Sequence, residues 1–209
     1  NSNVMQFQIS SLKKQINPSD IKVLKELKKI RKEFKPDIIH LHTTKPGVLG
    51  RIAFKKDRKH IVYTVHGFDV VRTAHRKFLP IEQFFQRYSG ATVPVSKYDE
   101  KNLLAEKIKR NVITIYNGID ISSITPQNEF PISINESKKI LCIARISPQK
   151  DFAMFVRIAK KFENKDTAFI WIGSAQDKTI EEISKEYDVP SNLYLLGDVP
   201  NASNYIFLA

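Results

Sequence analysis

Residues 138–162, KKILCIARISPQKDFAMFVRIAKKF, constrain the fold more than any other stretch of the chain. Residues 140–144 form a short apolar run flanked by charges, which predicts a buried parallel strand. The apolar residues that follow recur at the spacing of one helix face: Phe152, Phe155, Val156, Ala159 and Phe162. Arg145 and Lys150 lie between strand and helix, where doubly wound α/β proteins bind anionic ligands. The same two charges also suit an ordinary solvated loop.

The alternation of strand and helix continues along the chain and predicts parallel α/β layers. Further strands are predicted at residues 38–41, 61–65, 92–95, 112–116, 168–172 and 193–196. Periodicity fades in residues 121–137, which contain Pro126 and Pro131 and are interpreted as a linker. We therefore expect two Rossmann-like parallel-sheet domains, one in residues 1–120 and one in residues 138–209.

Two helices carry more specific predictions. Residues 18–35 place a set of apolar residues on one face, opposite seven cations: Ile21, Leu24, Leu27, Ile30 and Phe34. A helix that starts at Pro80 is expected to direct four large side chains into the core: Ile81, Phe84, Phe85 and Tyr88. Ser96 and Asp99 have the character of a capping box before a third helix.

The charge of the chain is unevenly distributed. The net charge is +12 over 209 residues. Residues 1–120 contain 24 Lys and Arg against 11 Asp and Glu, or +13, whereas residues 121–209 contain 10 against 11, or −1. A basic half suits nucleic acid, an anionic membrane surface or a polyphosphate ligand, and charge alone does not choose among them. A single cysteine, Cys142, excludes an internal disulfide and suits a reducing cytoplasm.

Three strings resemble one known family. The apolar strand followed by ARISPQK and an amphipathic helix resembles the nucleotide-sugar site of family 4 glycosyltransferases, in the second domain of the GT-B fold. HLHTTKPGVLGR followed by YTVHGF is similar to the first domain of the members that build bacterial capsular polysaccharide, exopolysaccharide and O-antigen. NGID, at residues 117–120, is similar to the family's signature at the exit from that domain.

The resemblance implies an enzyme that transfers a sugar from a nucleotide-diphosphate donor to a polyprenyl-linked saccharide, with retention of the anomeric configuration. It implies that Arg145 and Lys150 hold the donor diphosphate, where the small Gly173 lets the backbone approach it. His66 is the candidate catalytic contact to the transferred sugar. Five residues are expected on the acceptor side of the cleft: Lys45, Gly47, Gly67, Asn117 and Asp120. Asp151 stands where the family usually has Gly, which predicts a less mobile loop.

Neither a cofactor nor a metal ion is expected. The sequence has no G-x-G-x-x-G, no Walker loop and no D-x-D, so cationic side chains and helix amides must balance the donor diphosphate. His40 and His42 lie two residues apart at a predicted strand end. That spacing suits part of a metal site, or simply hydrogen bonds to a loop.

A membrane surface is an expected partner. Residues 72–79 mix cations with large apolar side chains, which is typical of a membrane interface. The candidates for lipid contact are Arg72, Arg76, Lys77 and Phe78. The basic face of residues 18–35 suits either solvent or anionic lipid. We expect a cytoplasmic protein held peripherally at the inner face of the cell membrane, without a nucleic-acid partner.

Two other classes of function stay open. A sugar-nucleotide 2-epimerase shares the two-domain architecture, although YTVHGF and NGID argue against it. A nucleic-acid-binding protein would explain the basic half, although no recognised binding motif accompanies the charges. The family's first strand, its Gly-rich loop and a Glu-rich E-x-F-G segment do not occur in the sequence. We therefore expect a portion of a longer enzyme that is inactive alone and whose donor and acceptor cannot be assigned.

Overall fold

The computed structural model describes residues 4–13 and 15–209, and the chain divides into two compact α/β units, Asn1–Gly118 and Ile119–Ala209. The first unit contains α1 (Asp20–Phe34), β1 (Ile39–His42), α2 (Thr44–Ala53), β2 (Ile61–Val65), α3 (Leu79–Phe85), β3 (Ala91–Pro94) and α4 (Lys97–Ala105). The second contains β4 (Lys138–Ile143), α5 (Phe152–Lys161), β5 (Thr167–Ile172), α6 (Ile180–Tyr187) and β6 (Leu193–Gly197).

Each unit is built on a three-stranded parallel sheet with strands in sequence order, β1-β2-β3 and β4-β5-β6. Every strand is followed by a helix or a helical turn before the next strand, as parallel pairing requires. The predicted α/β class with two Rossmann-like parallel sheets is therefore confirmed. In the first unit His42 is level with Thr64, which brings the carboxyl ends of β1 and β2 together.

The core of the first unit lies on β2, whose Ile61, Tyr63 and Val65 are all buried. Helix α1 packs mainly on α2. Its Val23 is buried, and its partly buried Leu27 packs against this core. The first and last residues of its predicted apolar face, Ile21 and Phe34, are exposed.

Helix α3 buries a different face from the one predicted. Leu79 and Glu82 point inward, whereas Ile81 and Phe84 are exposed, so the prediction that these two lie in the core is wrong. The Glu82 carboxylate pairs with the guanidinium of Arg51 at 2.6 Å, and the two residues are only 5% and 1% exposed. This ion pair directs Glu82 inward, while Phe85 remains partly buried with its ring 5.7 Å from the Arg51 guanidinium. The spacing of apolar residues in the sequence does not indicate that Glu82 pairs with Arg51.

The second unit is organised around β5, in which all six residues are buried. Helix α5 packs on it through Phe152, whose ring meets that of Trp171 edge to face at 4.9 Å. The prediction of a fully buried strand at residues 140–144 is wrong in part, since Ile140 and Ile143 of β4 are each 40% exposed. The reason is that β4 borders its sheet and pairs with β5 alone.

The predicted strand at residues 112–116 is reduced to a single bridge between Val112 and Thr92. The N–H groups of Ile113 and Ile115 still donate to Thr92 and Pro94 of β3, at 3.0 and 3.1 Å. Pro94 has no N–H to donate in return, which weakens the ladder at this point. Further along, in the predicted linker at residues 121–137, Phe130 is buried against the second sheet.

Candidate functional site

Polar side chains gather where β1 and β2 end. The Nδ1 atom of His42 and the Nε2 atom of His66 share a hydrogen bond of 3.0 Å, and their rings stack at 5.3 Å. Two residues earlier on each strand, the Nε2 atom of His40 lies 2.7 Å from the hydroxyl of Thr64. Each pair spans two neighbouring strands and lies on the same side of them, because side chains two residues apart point the same way. The strand ends thus place His66, the predicted catalytic contact, directly beside a second imidazole.

Burial and the two neighbouring imidazoles affect the protonation of His42. Burial, followed by the neighbouring His40 and His66, lowers the pKa of His42 below its usual 6.5. His42 is consequently neutral at pH 7, and in that form it can hold the exposed His66 ring through one nitrogen without adding charge. From the sequence, His42 suited part of a metal site or a hydrogen bond to a loop, and the register that places it beside His66 was not visible.

The lowered pKa of His42 gives a direct prediction. An NMR titration of the imidazole Cε1–H signals should show His42 with a midpoint below 6.5. Because the unfolded chain then takes up this proton at a higher pH than the folded chain, His42 contributes a loss of stability as pH falls below 6.5. The signal is assigned from its absence in His42→Gln. A midpoint at or above 6.5 would contradict the arrangement of the three rings.

The loop that carries His66 is held in place by α4. Asp99, which is buried, accepts a hydrogen bond from the backbone N–H of Phe68 at 3.1 Å, and its other oxygen accepts one from Ser96 at 2.8 Å. The predicted capping role of Ser96 is confirmed by its bond from the N–H of Asp99. Gly67, between His66 and Phe68, has φ +70 with open space around it, a conformation that favours glycine. Asp99 is therefore a supporting residue that the capping box could have indicated.

The other predicted acceptor-side residues of the first unit have local structural roles. Lys45 is mostly buried and forms an ion pair with Asp20 at 2.7 Å, and it also donates to the carbonyl of Lys13 at 2.7 Å. Its charge is thus occupied in fastening the preceding segment to α2. Gly47 is buried, and a Cβ there would lie 2.4 Å from the ring of Tyr63, so the glycine allows α2 to approach β2. Neither residue lies free on the surface.

Asn117 and Asp120 fall on either side of the division between the two units. Asn117 is exposed at the end of the first unit. Asp120 accepts hydrogen bonds from the hydroxyl and the N–H of Ser122, at 2.6 and 3.0 Å. These bonds, the one from the hydroxyl first, lower the pKa of the Asp120 carboxyl. Asp120 therefore caps a short turn as an ionised group.

In the second unit, the predicted diphosphate cations lie just beyond the end of β4. Arg145 and Lys150 are both exposed, and among residues 4–13 and 15–209 neither side chain has a hydrogen-bond or ion-pair partner. Burial raises the pKa of the nearby Cys142 thiol, and the charge of Lys150 opposes that rise. Lys150 therefore stands close to the strand end with its charge available to an anion.

The turn after Lys150 explains how an aspartate replaces a glycine. Asp151 has φ +47, in the left-handed region that favours glycine and tolerates Asp. Its carboxylate accepts a hydrogen bond from the N–H of Met154 at 3.2 Å and so caps α5. The negative charge beside Lys150 is thereby engaged with the helix N-terminus.

Gly173 lies where β5 leaves the sheet. Its φ is +129, and a Cβ there would lie only 2.2 Å from the carbonyl oxygen of Ala144. The same oxygen accepts a hydrogen bond from the indole of Trp171 at 2.7 Å. Close packing against the end of β4 is therefore a sufficient reason for glycine at this position. Next to it, Asp198 accepts hydrogen bonds from the hydroxyl and N–H of Ser174, and no sequence pattern pointed to this residue.

A cavity of about 400 Å³ opens beside these strand ends, between the turn before α5 and the loop before α6. Its lining includes Ser147, Asp151, Phe152, Gln176 and Lys178. Arg145 and Lys150 are not part of the lining, so their charges lie beside the cavity and face solvent.

Cations of the segment at residues 72–79, the predicted lipid contact, form ion pairs within the first unit. Arg72 pairs with Asp69 at 2.8 Å, and Arg76 pairs with Glu106 at 2.8 Å. Lys77 lies 5.3 Å from the ring of Phe78, which packs against the core. Two of its three cations are therefore compensated, and no large apolar side chain of this segment is exposed.

The described residues contain neither a metal-binding cluster nor a membrane-spanning helix. Across residues 4–13 and 15–209, no group of three or more His, Cys, Asp or Glu side chains is arranged to hold a metal ion. In the same part of the chain, no helix has both the length and the hydropathy to cross a membrane.

Known proteins resemble the chain in sequence and in fold. It is 28% identical over 209 aligned residues, 87% of this chain, to the Escherichia coli UDP-Gal:alpha-D-GlcNAc-diphosphoundecaprenol alpha-1,3-galactosyltransferase. It spans 53% of that enzyme, about half its length. Its fold matches Anabaena HepE in complex with UDP, with TM-score 0.68, 17% identity, and coverage of 90% of this chain and 53% of HepE.

The fold also matches UDP-GlcNAc 2-epimerase from Neisseria meningitidis bound to UDP-GlcNAc. Here the TM-score is 0.59 with 16% identity, over 92% of this chain and 59% of the epimerase. The GT-B architecture is thus common to transferases and epimerases, and fold alone does not separate them. The sequence separates transferases from epimerases, because residues 9–123, more than half of the chain, match one family. This chain belongs to Glycosyltransferase Family 4.

Proposed function

We propose that this protein transfers a sugar from a nucleotide-diphosphate donor to a hydroxyl of a polyprenyl-linked saccharide. The observation that carries the proposal is the pair of uncompensated cations, Arg145 and Lys150, at a strand end of a family 4 glycosyltransferase. The acceptor oxygen bonds the anomeric carbon and loses its proton, and the bond from that carbon to the diphosphate breaks, so the departing nucleoside diphosphate gains negative charge. Fixed cations at that position lower the energy of the transition state more than that of the bound donor.

His66 is the proposed contact to the transferred sugar. Its ring is exposed, and one of its nitrogens is held by His42, so the other nitrogen is free to meet a sugar hydroxyl. The hydrogen bond to His42 fixes the orientation of that free nitrogen. Retention of configuration belongs to the same proposal and is supported by the resemblance of the motifs to retaining enzymes.

The chemical class of the acceptor is supported by sequence similarity. The name of the related Escherichia coli enzyme specifies UDP-Gal as donor and a GlcNAc-diphosphoundecaprenol acceptor. A lipid-linked saccharide of this class suits the basic first unit, because its diphosphate is anionic. We assign the reaction to surface-polysaccharide synthesis at the inner face of the cell membrane.

The proposal also includes a reaction without a metal ion. The sequence contains no D-x-D, and the two cations take the place that a divalent ion would have beside the diphosphate. Transfer is therefore expected to continue when a chelator removes divalent ions.

The test is a product analysis with the full-length protein. Radiolabelled UDP-sugars are incubated with a polyprenyl diphosphate-linked GlcNAc acceptor, with and without EDTA. We expect label in the lipid fraction in both cases and, from NMR coupling constants, an anomeric configuration equal to that of the donor. Recovery of all label as an epimerised UDP-sugar would replace the proposal with a 2-epimerase. Dependence on added divalent ions would overturn its metal-free part.

A further inference from the structure

The backbone on either side of Arg145 is tied to the next strand of the sheet. Before Arg145, the carbonyl of Ala144 accepts a hydrogen bond from the indole of Trp171 at 2.7 Å. After it, the N–H of Ile146 donates to the carbonyl of Ser174 at 2.9 Å. The Arg145 side chain is exposed, but the backbone that carries it is therefore fixed on both sides.

Ser174 is in turn held by Asp198, which directly follows β6. The two carboxylate oxygens of Asp198 accept from the N–H of Ser174 at 3.1 Å and from its hydroxyl at 2.7 Å. Hydrogen bonds to a carboxylate are stronger than those to a neutral oxygen. The bond from Ile146 to Ser174 and the two bonds from Ser174 to Asp198 thus form a chain across the carboxyl ends of β4, β5 and β6. Arg145 lies one residue away from this chain.

A β-bulge in β6 precedes Asp198. Trp171 of β5 is level with Leu195 of β6, whereas the next residue, Ile172, is level with Gly197. The strand β6 therefore has one extra residue here, and a shift of one residue reverses the face to which the following side chains point. Bulges redirect side chains in this way and are frequent next to functional sites.

The turn with both donor-site cations is fixed at its two ends. At its start, the chain from Asp198 holds the backbone beside Arg145. At its end, next to Lys150, Asp151 caps α5 by accepting from the N–H of Met154. Two aspartates thus hold the backbone of this turn while both cationic side chains stay exposed.

We propose that Asp198 is a positioning residue of the donor site and acts through Ser174 on Arg145. The proposal rests on the proposed function, in which Arg145 stabilises the departing diphosphate. A charge that is already oriented stabilises a transition state better than a mobile one, because nothing has to reorganise during the reaction. Asp198 is exposed, so water weakens the repulsion between its own charge and a diphosphate. Its effect through the hydrogen-bonded chain therefore dominates.

The experiment is a double-variant cycle in the full-length protein, read from initial rates of sugar transfer. Asp198→Ala should lower kcat about tenfold to a hundredfold, since misplacing a group by about 1 Å can cost a hundredfold. Asp198→Asn keeps one oxygen as an acceptor and should lose less. Arg145→Ala should lose about a hundredfold to a thousandfold. Adding Asp198→Ala to it should cost nothing more, because the group through which Asp198 acts is already absent.

A matched control lies at the opposite end of the same sheet. Asp166, just before β5, accepts hydrogen bonds from the N–H of Ser137 at 2.8 Å and from its hydroxyl. Asp166→Ala removes the same charge and the same kind of bonds, about 20 Å along the strand from the donor site. It should keep the wild-type rate. Circular dichroism and the thermal midpoint verify that all variants are folded.

The variants separate the positioning role from the proposed function. If Arg145→Ala loses its rate and Asp198→Ala does not, the positioning role falls and the proposed function stands. The role also falls if the losses multiply in the double variant, if Asp166→Ala loses as much as Asp198→Ala, or if Asp198→Asn is faster than the wild type. A wild-type rate in Arg145→Ala would instead remove this arginine from the donor site and overturn that part of the proposed function.

Discussion

Replacing Arg51 by Met should lower the free energy of unfolding by about 3–5 kcal/mol, because Glu82 is left charged and buried without its partner. Arg51 is 1% exposed and its guanidinium donates to Glu82 at 2.6 Å and to the carbonyl of Gly47 at 2.9 Å. It also lies 4.2 Å from the centre of the Tyr63 ring. One side chain thus joins α2, β2 and α3. Denaturation by urea, followed by circular dichroism, measures the loss.

The double variant Arg51→Met/Glu82→Leu should recover most of that loss, since apolar groups of similar volume need no ionic partner. As a control, Lys29→Met breaks the exposed pair with Glu33 and should leave the midpoint almost unchanged. Glu82→Leu is measured as the second single variant. If the double variant loses as much stability as Arg51→Met and Glu82→Leu together, packing around Arg51, rather than its charge, stabilises the unit.

Lys150→Ala should reduce the rate of sugar transfer by about a hundredfold to a thousandfold, the usual effect of removing one group that stabilises developing charge. Lys150 is exposed and makes no side-chain bond within the described residues, so the substitution should leave the fold intact. The effect is expected mainly in kcat, because the diphosphate gains charge as it departs. Initial rates with a labelled UDP-sugar donor measure it in the full-length protein.

A matched control is available at the other end of α5. Lys161 is the last residue of that helix and is also exposed, about 15 Å along the axis from its start. Lys161→Ala should keep the wild-type rate. Wild-type turnover in Lys150→Ala would remove this lysine from the donor site, and equal losses in both variants would indicate a general effect of charge.

The order of elements could be predicted from the sequence because it depends on local patterns. The strand at residues 61–65 was predicted with its observed limits, and the basic face of α1 followed from helical spacing. These patterns specify which side chains are apolar and how often they recur. They do not specify where the chain needs a buried charge. The inward turn of Glu82 on α3 depends on Arg51, 31 residues earlier, and no local period reports that pair.

For the candidate site, the sequence indicated individual residues but not their long-range partners. The strand pattern predicted polar side chains at the strand ends, among them His66, Arg145 and Lys150, and the roles proposed for these three come from the resemblance to the family. His42 was missed as the partner of His66, since only the pairing register of β1 and β2 brings the two rings within 3.0 Å. Lys45 was predicted on the acceptor side of the cleft, and the sequence did not reveal that its charge is paired with Asp20, 25 residues earlier. Residue spacing does not predict which charges pair when they are far apart in the sequence.

The left-handed turn at Asp151 affects how Lys150 meets a ligand. The bond from the N–H of Met154 fixes the residue next to the lysine before any donor arrives. Ordering one backbone residue costs about 1–2 kcal/mol of conformational entropy, and here that cost is met during folding. With a glycine in the same place, part of this entropic cost would arise each time a ligand binds. The aspartate therefore preorganises the turn. Under the proposed function this favours tighter donor binding, in exchange for a loop that rearranges less readily during turnover.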